Sequence, residues 1–195
     1  MNGSRSIAVL AALAALASAA IAPAGNARAQ ETNDAKIQRA LSAAPAELAR
    51  GAAVVDVQFK TVMRDGKEMQ EPVMTTLREG TNSITCIPGQ PGVVGFSPMC
   101  ADPQGLQWIH DFVTGQPRPS TTQPGVVYML AGGTDWSPSD PKATSGTPFE
   151  QPPHWMLMWA FDAKTSGFST EVKDTGTWLM WAGTPWAHLM INQKP

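Results

Sequence analysis

The sequence predicts an α+β protein dominated by an antiparallel β-sheet, sandwich-like or barrel-like, with one N-terminal helix and one short helix near residues 102–113. Three observations lead there. Charged side chains are only 15% of the chain, while 17 Gly and 17 Pro punctuate it, as many short strands and tight turns require. Apolar and polar residues alternate with period two in several short runs. The stretch His154-Trp155-Met156-Leu157-Met158-Trp159-Ala160-Phe161 also reads as a strand. Successive side chains of a strand point to opposite faces, so His154, Met156 and Met158 share one face and Trp155, Leu157 and Trp159 the other. Large groups on both faces predict burial on two sides.

In chain order, residues 1–29 have the pattern of a secretory signal peptide. Arg5 supplies the positive end, Ile7 to Ala22 is uncharged and apolar, and Ala27-Arg28-Ala29 offers a small-x-small site with cleavage before Gln30. The apolar run falls short of the about 20 residues that span a bilayer. The expectation is a periplasmic or secreted protein with no stable membrane insertion after cleavage. Residues 30–195 then form a single β-rich domain long enough for a sizeable core. Without Arg5 and Arg28, the 14 basic side chains become 12 against 16 acidic ones, a net charge of −4. No basic run is present, which argues against nucleic acid as a partner.

Asp34 to Ala44 places Ile37, Ala40, Leu41 and Ala44 at helical spacing, with Asn33 or Asp34 as cap; Pro45 ends the helix or restarts a turn through Arg50. Val55, Val57 and Phe59 alternate with Asp56, Gln58 and Lys60, Asp65-Gly66 marks a turn, and Val73 to Arg78 returns. With Ser83 to Ile87 these predict a three-stranded antiparallel meander. Asp102-Pro103 supplies an N-cap and first-turn Pro for the short helix. Leu106, Ile109 and Val113 share one of its faces, Trp108 and Phe112 another. Val126 to Leu130 predicts a central strand, and Thr177 to Trp181 and Ala187 to Ile191 the last two. Thr134 to Pro153 shows no periodicity, and a loop that long is usually functional or mobile.

Cys86 and Cys100 are the only cysteines. In an exported chain they are expected to form a disulfide, worth roughly 3 kcal/mol on the loop-entropy model. A dithiol metal site is the rival, but the spacer lacks a flanking Cys or His pair.

Leu77-Arg78-Glu79-Gly80-Thr81-Asn82 with Cys86, then Pro98-Met99-Cys100, Tyr128-Met129-Leu130 before Gly132-Gly133, Ser137-Pro138-Ser139-Asp140-Pro141 and Pro153-His154 together resemble a family of exported bacterial proteins of unknown function. The resemblance runs from about Ile37 onward. It implies export and one domain, and brings no activity with it.

No catalytic signature is present: there is no Gly-x-Ser-x-Gly elbow, His-Glu-x-x-His helix, phosphate loop or dinucleotide fingerprint. A binding protein is therefore expected ahead of an enzyme. The sharpest chemical signal is the echo of His154-x-Met156-x-Met158 in His188-x-Met190. On neighbouring strands these five would gather two imidazoles and three thioethers, soft ligands suited to Cu(I). The competing reading is a Met-rich core packed on aromatic rings. Asp135, Trp136 and Asp140 could form a ligand rim, for a sugar or for acid–base work by an envelope enzyme; the plainer reading is Asx-turns around prolines. A small ligand or metal ion is the expected partner of a binding protein. A glycan-binding module, and a structural or protein-interaction module, are the alternatives.

Overall fold

The computed structural model describes residues 31–193, without the Met69 side chain, so the expected signal peptide lies outside the described residues. The fold is α+β and mostly β-sheet. Its helices are α1 (Asn33–Leu41), α2 (Ala46–Ala49) and α3 (Pro103–Val113). The strands are β1 (Ala53–Arg64), β2 (Lys67–Arg78), β3 (Thr85–Ile87), β4 (Met99–Ala101), β5 (Gly125–Met129), β6 (Gly133–Asp135), β7 (Phe149–Gln151), β8 (His154–Met158), β9 (Thr175–Met180) and β10 (His188–Gln193). Eight strands join one mixed, mostly antiparallel sheet in the order β2-β1-β3-β4-β5-β8-β10-β9, and β6 and β7 pair separately. The order is linear with β2 and β9 as edges. No pairing joins β9 to β2 among the described residues, and the α+β, mainly antiparallel architecture is the one expected.

The meander is also corrected. β2 folds back antiparallel on β1 through Asp65-Gly66, but β3 lies on the other side of β1 and runs parallel to it, with Ala53 beside Thr85 and Val54 beside Cys86. β2 ends where β1 begins, so the chain need only step around the start of β1. That step is pinned to α2: the Thr81 and Asn82 amides donate to the Gly51 carbonyl, and Asn82 Nδ2 donates to Leu48 O. Backbone hydrogen bonds outside the strand thus decided what alternation alone could not.

Cys86 and Cys100 face each other in register across β3 and β4 and form the disulfide. They sit on the face covered by α1 and α2, in a cluster with Ala40, Ala43, Val54 and Ile84. The N-cap of α1 is Thr32, whose hydroxyl accepts from the Ala35 amide, one residue before the expected cap.

α3 covers the opposite face. Asp102 caps it by accepting from Gly105 N at 2.7 Å. Gly105 and Gly125 let the helix backbone rest directly on β5, because a Cβ on Gly125 would stand 2.1 Å from Gly105 N. The buried stripe of α3 is Gly105, Trp108 and Asp111. Leu106, Ile109 and Val113 are only half-buried.

The segment Thr134 to Pro153 is not wholly irregular, since it opens and closes as the β6–β7 pair. On β8, His154, Met156 and Met158 are buried as the alternation predicts, but Trp155 and Leu157 are half-buried on the other face. Burial is therefore one-sided.

Candidate functional site

Strand registers place the inward face of β5, β8, β10 and β9 on a grid. One row holds Met129, His154, Asn192 and Gly176; the next holds Val127, Met156, Met190 and Trp178. In the third row Gly125 pairs with Met158 and His188 with Met180, and continuing the β8–β10 register by one residue sets His188 beside Met158. All five residues expected as soft ligands, His154, Met156, Met158, His188 and Met190, are therefore buried on one face of adjacent strands. Antiparallel pairing keeps the two imidazoles apart, however. They lie at opposite ends of the Met156–Met190 pair, about 13 Å apart along the strand direction.

Their surroundings differ too. His154 is fully buried, with Nδ1 2.7 Å from the Pro152 carbonyl. His188 lines a cavity and has Nδ1 2.9 Å from the Trp186 carbonyl. A carbonyl only accepts, so both neutral rings carry their proton on Nδ1 and hold a lone pair at Nε2. Burial holds the His154 imidazolium pKa below its usual range, against the opposing hydrogen bond to Pro152. The same cause brings His188 down to about 4, with the Trp186 bond opposing and His154 adding slightly. Both rings are neutral at physiological pH.

The cavity has a volume of about 670 Å³ and lies between the sheet and α3. Val127, Met156, Met158 and Met180 line it from the sheet, and Leu106, Ile109 and Val113 from the half-buried side of α3. Phe59 and Met74 of the β1–β2 hairpin and Phe96 of the loop after β3 line it further, with Phe59 and Phe96 edge to face at 5.8 Å. Its polar groups are few: Gln90, Gln107, Thr134, Gln151, Asp135 and the two histidines His110 and His188 are the main ones. No Lys or Arg is among the described lining residues.

Beside His188 the wall is aromatic. Trp108 stacks on Trp181 at 6.2 Å, and their rings lie 5.4 and 5.1 Å from the His188 ring. Trp181 adopts φ 54°, a left-handed conformation costly for a bulky side chain. It is held there by its amide bonding to Pro138 O at 2.8 Å and its indole N–H to Ser137 O at 2.9 Å.

The expected rim is split. Asp135 lines the cavity, and burial pushes its carboxyl up despite the amides of Ser137 and Trp136. Asp140 is exposed and accepts from Lys142 N at 2.8 Å, while Asp135 accepts from Ser137 N at 3.2 Å. Both make Asx-turns, and Trp136 is half-buried outside the described lining. The pair is not an acid–base couple facing one pocket. Among the described residues, no three His, Cys, Asp or Glu side chains are grouped so that they could hold a metal ion.

Sequence reasoning missed Met180, Trp181 and Trp108 as neighbours of His188. Trp178 and Met180 alternate toward one face, and a β9–β10 hairpin turning about Gly183 would have set Met180 opposite His188. The cavity itself has no local signal, because it depends on how far α3 stands from the hairpin. No family model, curated protein or solved structure matches the chain.

Proposed function

We propose that this chain is an exported binding protein for an uncharged, largely apolar small molecule held between the sheet and α3. The observation that carries the reading is the cavity of about 670 Å³, walled by Met, Val, Ile and aromatic side chains with a few separated polar groups. Small-molecule sites are commonly about 300–1,000 Å³ with this kind of lining. It is far larger than a bare metal ion needs. The polar groups set the ligand's character. A carboxylate or phosphate would find no Lys or Arg, and would face Asp135 and an imidazole that stays neutral. A hydroxyl or amide can bond to the glutamines, Thr134 or Nε2 of His188. Export is supported by the N-terminal sequence and by the disulfide, which an oxidising compartment maintains.

Titration with N-phenyl-1-naphthylamine, a neutral apolar fluorophore, tests this. The wild type should bind one equivalent with enhanced emission. Ile109→Trp, which fills the cavity from α3, should weaken binding by about tenfold or more. Met63→Trp, at a side chain 63% exposed on the hairpin, should change nothing. Equal binding by all three proteins, or none by the wild type, would remove the proposal.

A further inference from the structure

At the base of the cavity, the geometry points to a Cu(I) site formed by Nε2 of His188 with the thioethers of Met158 and Met180. Three features bring these groups together. First, they form one row on three adjacent strands: His188 is in register with Met180 on one side, and the β8–β10 register continued by one residue places Met158 on the other. Directly opposed residues on one sheet face have Cβ atoms about 4.5–5.5 Å apart, within reach of a common ion for side chains of this length. Second, the imidazole is prepared as a ligand. The Trp186 carbonyl takes the Nδ1 proton, fixing the ring and leaving the lone pair on Nε2, the arrangement of a metal-bound histidine with its outer partner in place. Third, the row is reached through the cavity, which all three residues line, whereas His154 does not line it.

The donor set selects the ion. One imidazole and two thioethers, with no carboxylate in the row, suit a soft monovalent cation rather than Zn(II), Mg(II) or Ca(II). Met180 Sδ already accepts from Gln151 Nε2 at 3.4 Å; this steadies the side chain and leaves the sulfur a second lone pair. The Trp108 and Trp181 rings stand at 5.4 and 5.1 Å from the His188 ring and pack its sides. This site uses His188 and Met158 of the ligands read from the sequence, adds Met180, and leaves Met156 in the cavity wall and His154 and Met190 as core.

The test is Ag(I), a redox-inert stand-in for Cu(I), followed by NMR of the protein labelled with ¹⁵N-histidine and ¹³C-methyl methionine. One equivalent should displace the Nε2 resonance of His188 and the methyls of Met158 and Met180, with His154 Nε2 unmoved. In Cu(I) competition with a chelator under reducing conditions, Met158→Leu and Met180→Leu should each weaken binding by about tenfold or more. Both are close in volume and should fold. Met129→Leu, two rows away, should bind as wild type. The site is wrong if Ag(I) leaves His188 unmoved, or if Met129→Leu loses as much affinity as Met180→Leu. Binding of the neutral fluorophore is read separately, so failure of one assignment does not carry over to the other.

Discussion

His188 couples the buried site to pH. Its pKa lies near 4 in the folded protein, against about 6.5 when exposed in the unfolded chain. Below pH 6.5 the unfolded state takes up a proton that the folded state refuses, so stability present above pH 6.5 is lost as pH falls toward 4. The loss is roughly 3 kcal/mol for this residue. His154, lowered by the same burial, adds to it in the same direction. Denaturation midpoints measured from pH 7 to pH 4 should fall accordingly, and His188→Phe should flatten the slope. A slope unchanged in His188→Phe would mean that the ring is protonated inside the fold. At this scale much was legible. Alternation along β8 placed His154, Met156 and Met158 on one face, and all three are buried there. Which histidine opens onto a cavity was not, because that depends on α3, remote in sequence.

The element that shapes the site is α3, held at both ends. At its start, Gly105 and Gly125 bring helix and strand backbones into direct contact. Near its end, the buried Asp111 accepts from Ser120 N at 2.6 Å, Ser120 Oγ at 2.7 Å and Gln107 Nε2 at 2.8 Å. Burial alone would raise that carboxyl, but these bonds outweigh it and hold the pKa low. Gly125→Ala should lift the helix and cost about 1–3 kcal/mol in chemical denaturation. It should also loosen apolar-probe binding; a variant as stable as wild type would show that the contact has slack. The helix itself was readable from Asp102-Pro103 and the apolar spacing after it. Its buried stripe was not, because Asp111 reads as a surface residue until Ser120 and Gln107 are seen to satisfy it. The parallel β1–β3 pairing was hidden similarly, since period-two alternation says nothing about which side of β1 the chain returns to.

For the whole molecule, the disulfide ties β3 to β4 in the middle of the sheet, between the β1–β2 hairpin and β5. Replacing Cys86 and Cys100 together by Ala should lower unfolding free energy by about 2–5 kcal/mol. Alkylation of the untreated folded protein should label neither residue; two reactive thiols would overturn the pairing. Seven of the ten strands among the described residues, and the central position of β5, were legible from apolar runs and turn residues; the three-residue strands β4, β6 and β7 were too short to show a period. Closure was not, because alternating strands serve an open sheet, a sandwich and a barrel equally well. The sheet leaves room beneath α3, and the proposed function requires that space to hold a neutral apolar guest. Titration of ¹³C-methyl-methionine protein with dodecan-1-ol tests it most directly, since methionines both line the cavity and stand outside it. The methyls of Met129, Met156, Met158 and Met180 should shift together and saturate, while exposed Met63 stays fixed and dodecanoate has far less effect. Lining methyls that do not move, or movement confined to Met63, would contradict a ligand cavity.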